Sequence, residues 1–134
     1  MKGPFVNGLV FQTTIQAGIV AFRDFGTDDY PAVETGEEEI LFLPGSLTVM
    51  GENDADVNVE VHAGWNAVSG AELVFDGTME FTSGVLSVSE PENPDEASLQ
   101  LPRAGEWKVR VFRRQQQDDQ DVYYVFDRSQ WRNG

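Results

Sequence analysis

Hydrophobic and polar residues alternate along most of the chain with a period of two. Segment 57–63 reads VNVEVHA, in which three valines and an alanine alternate with polar residues. This pattern is typical of a β-strand that packs one face against a core. Similar β-type patterns occur in segments 8–15, 18–25, 40–43, 98–102, 106–112 and 121–127. No window sustains a helical period, so we expect many strands and little or no helix.

Turn-forming residues separate these segments at strand-length intervals. Examples are Pro44-Gly45-Ser46 and Thr82-Ser83-Gly84. Asp76-Gly77 lies between ELVF and TMEF, which predicts a two-residue β-hairpin turn. Regular short strands with turns between them indicate an all-β fold, namely a two-sheet antiparallel β-sandwich with short turns. A length of 134 residues favours a single domain over residues 1–134.

The stretch 98–112, SLQLPRAGEWKVRVF, is rich in basic residues although the protein is acidic. Its alternation predicts a core hairpin, with Trp107 facing inward and both Lys108 and Arg110 on the outer face. We expect those cations to pair with acidic residues on adjacent strands. The polar stretch 113–120 is predicted to be the loop of the next hairpin.

The net charge is the strongest compositional signal. Nine basic and 23 acidic residues give −14. Residues 1–102 contribute −16, from two basic and 18 acidic residues, whereas residues 103–134 contribute +2. Such a field repels nucleic acids and anionic membranes and attracts a basic protein partner. Solubility alone is an equally good explanation of the charge.

The residues needed for common catalytic and metal sites are scarce. There is no cysteine and one histidine, His62, which the alternation places on the outer face of a strand. We expect a surface histidine rather than a metal ligand or a catalytic base. Phosphate-binding loops and a nucleophile elbow are also absent from the sequence. We therefore expect no enzyme activity, no catalytic residues, no metal and no cofactor.

The chain shows no clear targeting signal or membrane-spanning segment. The start is interrupted by Gln and Thr residues, and the apolar runs are too short to cross a bilayer. A soluble, cytoplasmic protein is the default expectation.

Acidic residues in the connections between strands are the best candidates for a binding function. Spaced carboxylates can pair with the Arg and Lys residues of a nuclease. The predicted partner-binding residues are Glu37, Glu38, Glu39, Glu52, Asp54, Asp56, Asp118, Asp119 and Asp121. Each cluster taken alone is also consistent with a solvated rim.

The segments "FTSGVLSVSE", "ASLQLPRAGEWKVRVFRR" and "DVYYVFD", together with the opening GLVFQTTIQAGIVAFRD, share one pattern of strands and loops. The positions of this pattern in the C-terminal part are Leu99, Leu101, Pro102, Gly105, Trp107, Val109, Val111, Tyr123, Tyr124 and Phe126. The pattern resembles that of the bacterial competence protein J family, and the resemblance covers most of the chain.

The resemblance implies a non-enzymatic inhibitor of a DNA-degrading nuclease, which acts by binding the enzyme. It supplies no residue-level inhibitory motif, so the acidic sites come from charge alone. The alternative is a ligand- or carbohydrate-binding β-sandwich module that uses exposed tryptophans, and its candidate residues are Trp65 and Trp131.

Overall fold

The computed structural model describes residues 9–15, 19–27, 40–50, 56–64, 70–90, 97–115 and 120–127. All regular elements in these ranges are β-strands. They are β1 (Leu9–Ile15), β2 (Ile19–Asp24), β3 (Ile40–Leu43), β4 (Ser46–Met50), β5 (Val57–Ala63), β6 (Glu72–Phe81), β7 (Val85–Ser89), β8 (Ala97–Gln100), β9 (Gly105–Gln115) and β10 (Gln120–Phe126).

The strands form two five-stranded sheets. Sheet A has the order β1-β5-β10-β9-β6, and sheet B has the order β3-β4-β2-β7-β8. Neighbouring strands are antiparallel except for β5 and β10, which run parallel with Val57 opposite Gln120 and Ala63 opposite Phe126. The prediction of an all-β, mainly antiparallel sandwich is therefore confirmed.

The core consists of the inward-facing residues of both sheets. Trp107, Tyr124 and Phe126 of sheet A are fully buried, as is Phe22 of sheet B. The rings of Phe22 and Tyr124 stack with centroids 4.3 Å apart, so they join the two sheets at the centre. Removing an aromatic or aliphatic side chain of this size from water contributes about 1.5–3 kcal/mol. In segments 57–63, 106–112 and 121–127, the alternation correctly predicted which residues face this core.

The predicted hairpin at Asp76-Gly77 is wrong, because β6 runs through both residues without a turn. Gly77 serves a packing role instead. A Cβ atom at this position would lie 2.8 Å from Cζ of Phe75, so the absence of a side chain makes room for the ring. The register of β6 also shifts between Leu73 and Phe75, which marks a bulge. Glycine in a strand here reflects close packing rather than chain reversal.

The predicted core hairpin at 98–112 is also wrong, since its two strands belong to different sheets. β8 pairs with β7 in sheet B, whereas β9 pairs with β6 and β10 in sheet A. Trp107 stabilises the connection 101–104, which passes from sheet B to sheet A. Its Nε1 donates a hydrogen bond to the carbonyl oxygen of Arg103 at 3.3 Å. The guanidinium of Arg103 lies 4.4 Å from the centroid of the same ring.

The next hairpin is confirmed but is tighter than predicted. β9 extends to Gln115 and β10 starts at Gln120, so Arg113 and Arg114 belong to a strand and not to the loop. This extension places both arginines beside charged residues of neighbouring strands.

Candidate partner-binding surface

One end of the sandwich collects the strand ends that border the acidic segments of the sequence. The register pairs Ile15 with Val57, Ile19 with Met50 and Gln115 with Gln120. Nη1 of Arg113 in sheet A donates a hydrogen bond to the carbonyl oxygen of Met50 in sheet B at 3.2 Å, so both sheets share this end. We call it the acidic end, defined by Ile15, Ile19, Ile40, Met50, Val57, Glu72, Ser89, Ala97, Gln115 and Gln120.

The two ends of the sandwich differ in the charge of the short segments that join their strands in sequence. The segments joining strands at the acidic end, 16–18, 51–56, 90–96 and 116–119, contain nine acidic residues. Those at the opposite end, 44–45, 82–84 and 101–104, contain none. Glu37, Glu38 and Glu39 directly precede Ile40, which is another strand end of the acidic end.

Two of the predicted partner-binding residues, Asp56 and Asp121, lie in the described ranges. Both are at the acidic end, where the amide of Gln120 donates a hydrogen bond to the carbonyl oxygen of Asp56 at 3.2 Å. Asp56 is exposed and Asp121 is buried. The remaining predicted residues lie outside the described ranges: Glu37, Glu38, Glu39, Glu52, Asp54, Asp118, Asp119, and the two tryptophans of the alternative, Trp65 and Trp131.

The carboxylate of Asp121 is the centre of a hydrogen-bond row across the outer face of sheet A. Nε and Nη2 of Arg114 donate to Oδ2 at 3.1 and 2.8 Å, and the hydroxyl of Tyr123 donates to the same oxygen at 3.3 Å. Nδ2 of Asn58 donates to Oδ1 at 3.1 Å. Thr14 continues the row onto β1, with its hydroxyl 3.4 Å from Oδ1 of Asn58. Much of the charge of Asp121 is therefore used within the chain.

These contacts also change the titration of the neighbouring groups. The hydrogen bond from Arg114 to Asp121 raises the pKa of the guanidinium above its ordinary value. Burial raises the pKa of Tyr123, and the nearby charge of Asp121 raises it further. Both groups thus keep their protons at neutral pH, which preserves the donors of the row.

His62 is buried, with 1% of its surface exposed, so the prediction of a surface histidine is wrong. It does face away from the core, as the alternation implies, but its strand lies inside the sheet between β1 and β10. Nε2 of His62 lies 2.9 Å from Oε1 of Glu60. Since a carboxylate only accepts hydrogen bonds, the ring nitrogen is the donor of this contact.

The expected pairing of outer-face cations with acids on adjacent strands is confirmed for Arg110, and Arg113 and Arg114, which were predicted to lie in a loop, form similar pairs. Arg110 lies 3.5 Å from Asp76 and Arg113 lies 3.7 Å from Glu72, both across the β9–β6 pair. Arg114 pairs with Asp121 across β9 and β10 at 2.8 Å. One cation of the basic segment, Arg110, and the two arginines that follow the segment are thus matched by acids of the same sheet.

A polar cleft of about 450 Å³ lies on the outer face of β1, β5 and β10, next to the acidic end. Among the residues that line it are Gln12, Thr14, Asn58, Glu60 and Asp121. Within the described part of the chain, no group of three or more His, Asp or Glu side chains is arranged to hold a metal ion. The same part contains no helix that is long and apolar enough to cross a membrane.

Sequence reasoning did not identify Asn58 and Glu60 as site residues. The alternation showed that both side chains point outward from β5, but it did not show which residues of other strands lie beside them. Only the parallel pairing of β5 with β10, which are remote in sequence, places Asn58 beside Asp121 and Glu60 beside Tyr123.

Comparison with known proteins supports the fold. No protein-family model matches the chain, and no curated protein matches its sequence. Among solved structures, the chain is similar to ComJ from Bacillus subtilis, described as an inhibitor of the DNA-degrading activity of NucA. The TM-score is 0.65 at 10% sequence identity, over 88% of this chain and 96% of that one. The resemblance drawn from the sequence is thus confirmed at the level of the fold.

Proposed function

We propose that this protein is a non-enzymatic binding protein that inhibits a DNA-degrading nuclease by covering its basic DNA-binding surface with the acidic end. The observation that carries the proposal is the difference in acidic residues between the short connections at the two ends. Short connections with nine acidic residues join strands at one end, and those at the other end have none. The similarity in fold to an inhibitor of a nuclease gives independent support.

Electrostatics explain how such a surface would select its partner. A nuclease presents Lys and Arg residues where the DNA backbone binds, and carboxylates placed opposite them replace the phosphates. Complementary charge mainly accelerates association, and salt screens it over about 8–10 Å. The same net charge of −14 repels DNA, so we propose that the protein itself binds no nucleic acid and no anionic membrane. The proposal also includes a cytoplasmic location.

The intrachain pairing of cations favours this role. Arg110, Arg113 and Arg114 are each close to a carboxylate of the same chain. The pairs of Arg110 and Arg114 neutralise charge on the outer face of sheet A, and Arg113 is paired at the acidic end. The field at the acidic end then comes from the carboxylates of the connecting segments, whose acidic residues outnumber the basic ones.

The test is a DNA-digestion assay with a NucA-type nuclease and a titration of this protein. We expect stoichiometric inhibition at low salt that weakens as salt is raised. Asp118→Lys combined with Asp119→Lys should slow association by about tenfold or more. Glu80→Lys combined with Glu106→Lys makes the same change in net charge at the opposite end and should have little effect.

The two pairs of variants separate a local surface from a general charge effect. Equal loss of inhibition in both pairs would show that only net charge matters, and the acidic end would not be the binding site. Undiminished DNA digestion in the presence of excess wild-type protein at low salt would refute the inhibitor function itself.

A further inference from the structure

The polar cleft beside the acidic end has the chemistry of a receptor for one basic side chain. We propose that it receives an arginine of the protein partner, whose guanidinium binds Glu60 and the side-chain oxygen of Asn58. This inference rests on the proposed function, since it specifies how a basic partner is held. Both residues project from one face of β5, two positions apart, toward the same cleft.

The carboxylate of Glu60 is held in place and remains accessible. Oε1 accepts the hydrogen bond from the buried ring of His62 at 2.9 Å, whereas 39% of the Glu60 side chain is exposed. A buried donor thus fixes the direction of an exposed acceptor. A carboxylate that is already oriented loses less conformational entropy when it binds a cation.

The amide of Asn58 is oriented by the row that contains Asp121. Its Nδ2 donates to Oδ1 of Asp121 at 3.1 Å, and the other carboxylate oxygen of Asp121 is occupied by Arg114 and Tyr123. A flipped amide would place the Asn58 oxygen against a carboxylate. The Asn58 oxygen therefore faces β1, where the hydroxyl of Thr14 lies 3.4 Å away.

Charge and size favour arginine as the occupant. The lining contains two carboxylates and no basic residue. Arg114, the nearest cation in the row, directs its guanidinium to Asp121. A volume of about 450 Å³ is within the range of pockets that bind small ligands. Arginine offers five donors in a planar arrangement and is frequent among the residues that dominate protein interfaces.

The direct test uses argininamide as a probe of the cleft, followed by NMR of the backbone amides. We expect saturable shifts at Thr14, Asn58 and Glu60, with weak affinity because the probe is small. Glu60→Gln removes the charge and should weaken binding of the probe about tenfold or more. Glu80→Gln is the matched control, because it makes the same change at an exposed site on β6, on the outer face of the same sheet. It should leave probe binding unchanged.

A second variant keeps the test valid if loss of the Glu60–His62 contact disturbs the sheet. Gln12 is exposed on β1 and lines the cleft, so Gln12→Arg would place an intrachain guanidinium there without altering the core. This variant should abolish the shifts caused by argininamide. Shifts at other residues, or equal affinity in Glu60→Gln and Glu80→Gln, would overturn the inference.

Nuclease inhibition separates this inference from the proposed function. Suppose that the wild-type protein inhibits the enzyme and that the Glu60→Gln and Glu80→Gln variants inhibit it equally strongly. The cleft then does not hold the partner, although the inhibitor function stands. If argininamide binds the cleft and no nuclease is inhibited, the cation site stands and the proposed function fails.

Discussion

Asp24 stabilises the β6–β7 turn, which lies at the end of the sandwich opposite the acidic end, and its replacement should destabilise the fold. Asp24 is 5% exposed, and its carboxylate accepts four hydrogen bonds from the β6–β7 turn. Backbone N–H groups of Thr82 and Ser83 donate at 3.1 and 3.0 Å, and their hydroxyls donate at 2.6 and 2.5 Å. Asp24→Ala removes the acceptor of all four.

The expected loss is about 3 kcal/mol of unfolding free energy. A net hydrogen bond to a charged group contributes about 1.5–3 kcal/mol when buried. Thr82 and Ser83 are exposed, so water can replace part of what they lose. We assign about 1 kcal/mol to each N–H group and about half of that to each hydroxyl. Against a typical stability of 5–15 kcal/mol, this loss should lower Tm by about 10 °C.

The effect should depend on pH in a defined direction. Burial by itself would raise the pKa of Asp24, but the hydrogen bonds from Ser83 and Thr82 outweigh it and lower the pKa below its ordinary value. The folded state therefore favours the ionised form more than the unfolded state does. The resulting stabilisation is complete above the unfolded pKa of about 3.9 and is lost as pH falls through the folded pKa.

Urea unfolding of the wild type, Asp24→Ala and Asp24→Asn at several pH values measures this effect. Asp24→Asn keeps one acceptor and should lose about half as much stability as the alanine variant. Asp56→Asn makes the same chemical change at an exposed site and should stay within about 0.5 kcal/mol of the wild type. A loss below about 1 kcal/mol for Asp24→Ala at neutral pH, or one that does not shrink in acid, would refute this account.

Three further stability predictions can be checked by the same unfolding assay. The buried hydroxyl of Tyr124 donates to Sδ of Met79 at 2.8 Å, so Met79→Leu should cost about 1–3 kcal/mol in the wild type and less in a Tyr124→Phe background. Equal costs would contradict the pairing. Gly77→Ala should destabilise the wild type, because the added Cβ meets the Phe75 ring. In a Phe75→Ala background the same change should stabilise the protein by about 0.5–1 kcal/mol. Stabilisation of the wild type by Gly77→Ala would show that the ring can move aside without cost. Arg103→Ala should lower stability by about 0.5–1 kcal/mol through loss of the cation–π contact, and an unchanged midpoint would exclude that contribution.

Much of the fold could be predicted because alternation depends on neighbours in sequence. Burial of Val57, Val59 and Val61 on one face follows from the period of two and needs no knowledge of the partner strands. That Arg110 pairs with an acid of an adjacent strand was anticipated because oppositely charged side chains on an acidic sheet tend to be neighbours; the identity of that acid, Asp76, was not.

The errors arise where a local signal competes with contacts that are distant in sequence. Asp76-Gly77 has the residues of a tight turn, but β6 pairs with β9 without interruption from Phe75 to Phe81, and the Phe75 ring occupies the space that Gly77 leaves. His62 has the outward phase of a surface residue, and its burial depends on the strands on either side of it. The cleft depends on the same unseen pairing, because Asn58 and Asp121 meet only across parallel strands.

The parallel pairing of β5 with β10 has a consequence for how the protein folds. These two strands are adjacent in the middle of sheet A, yet Val57 and its partner Gln120 are far apart in the chain. Contacts of such long range form late and slow folding, because a long loop must close first. The acidic end and the cleft both require this pairing. A partly synthesised or partly folded chain would therefore lack the surface proposed for inhibition, so under the proposed function only molecules with a complete central sheet would bind a nuclease.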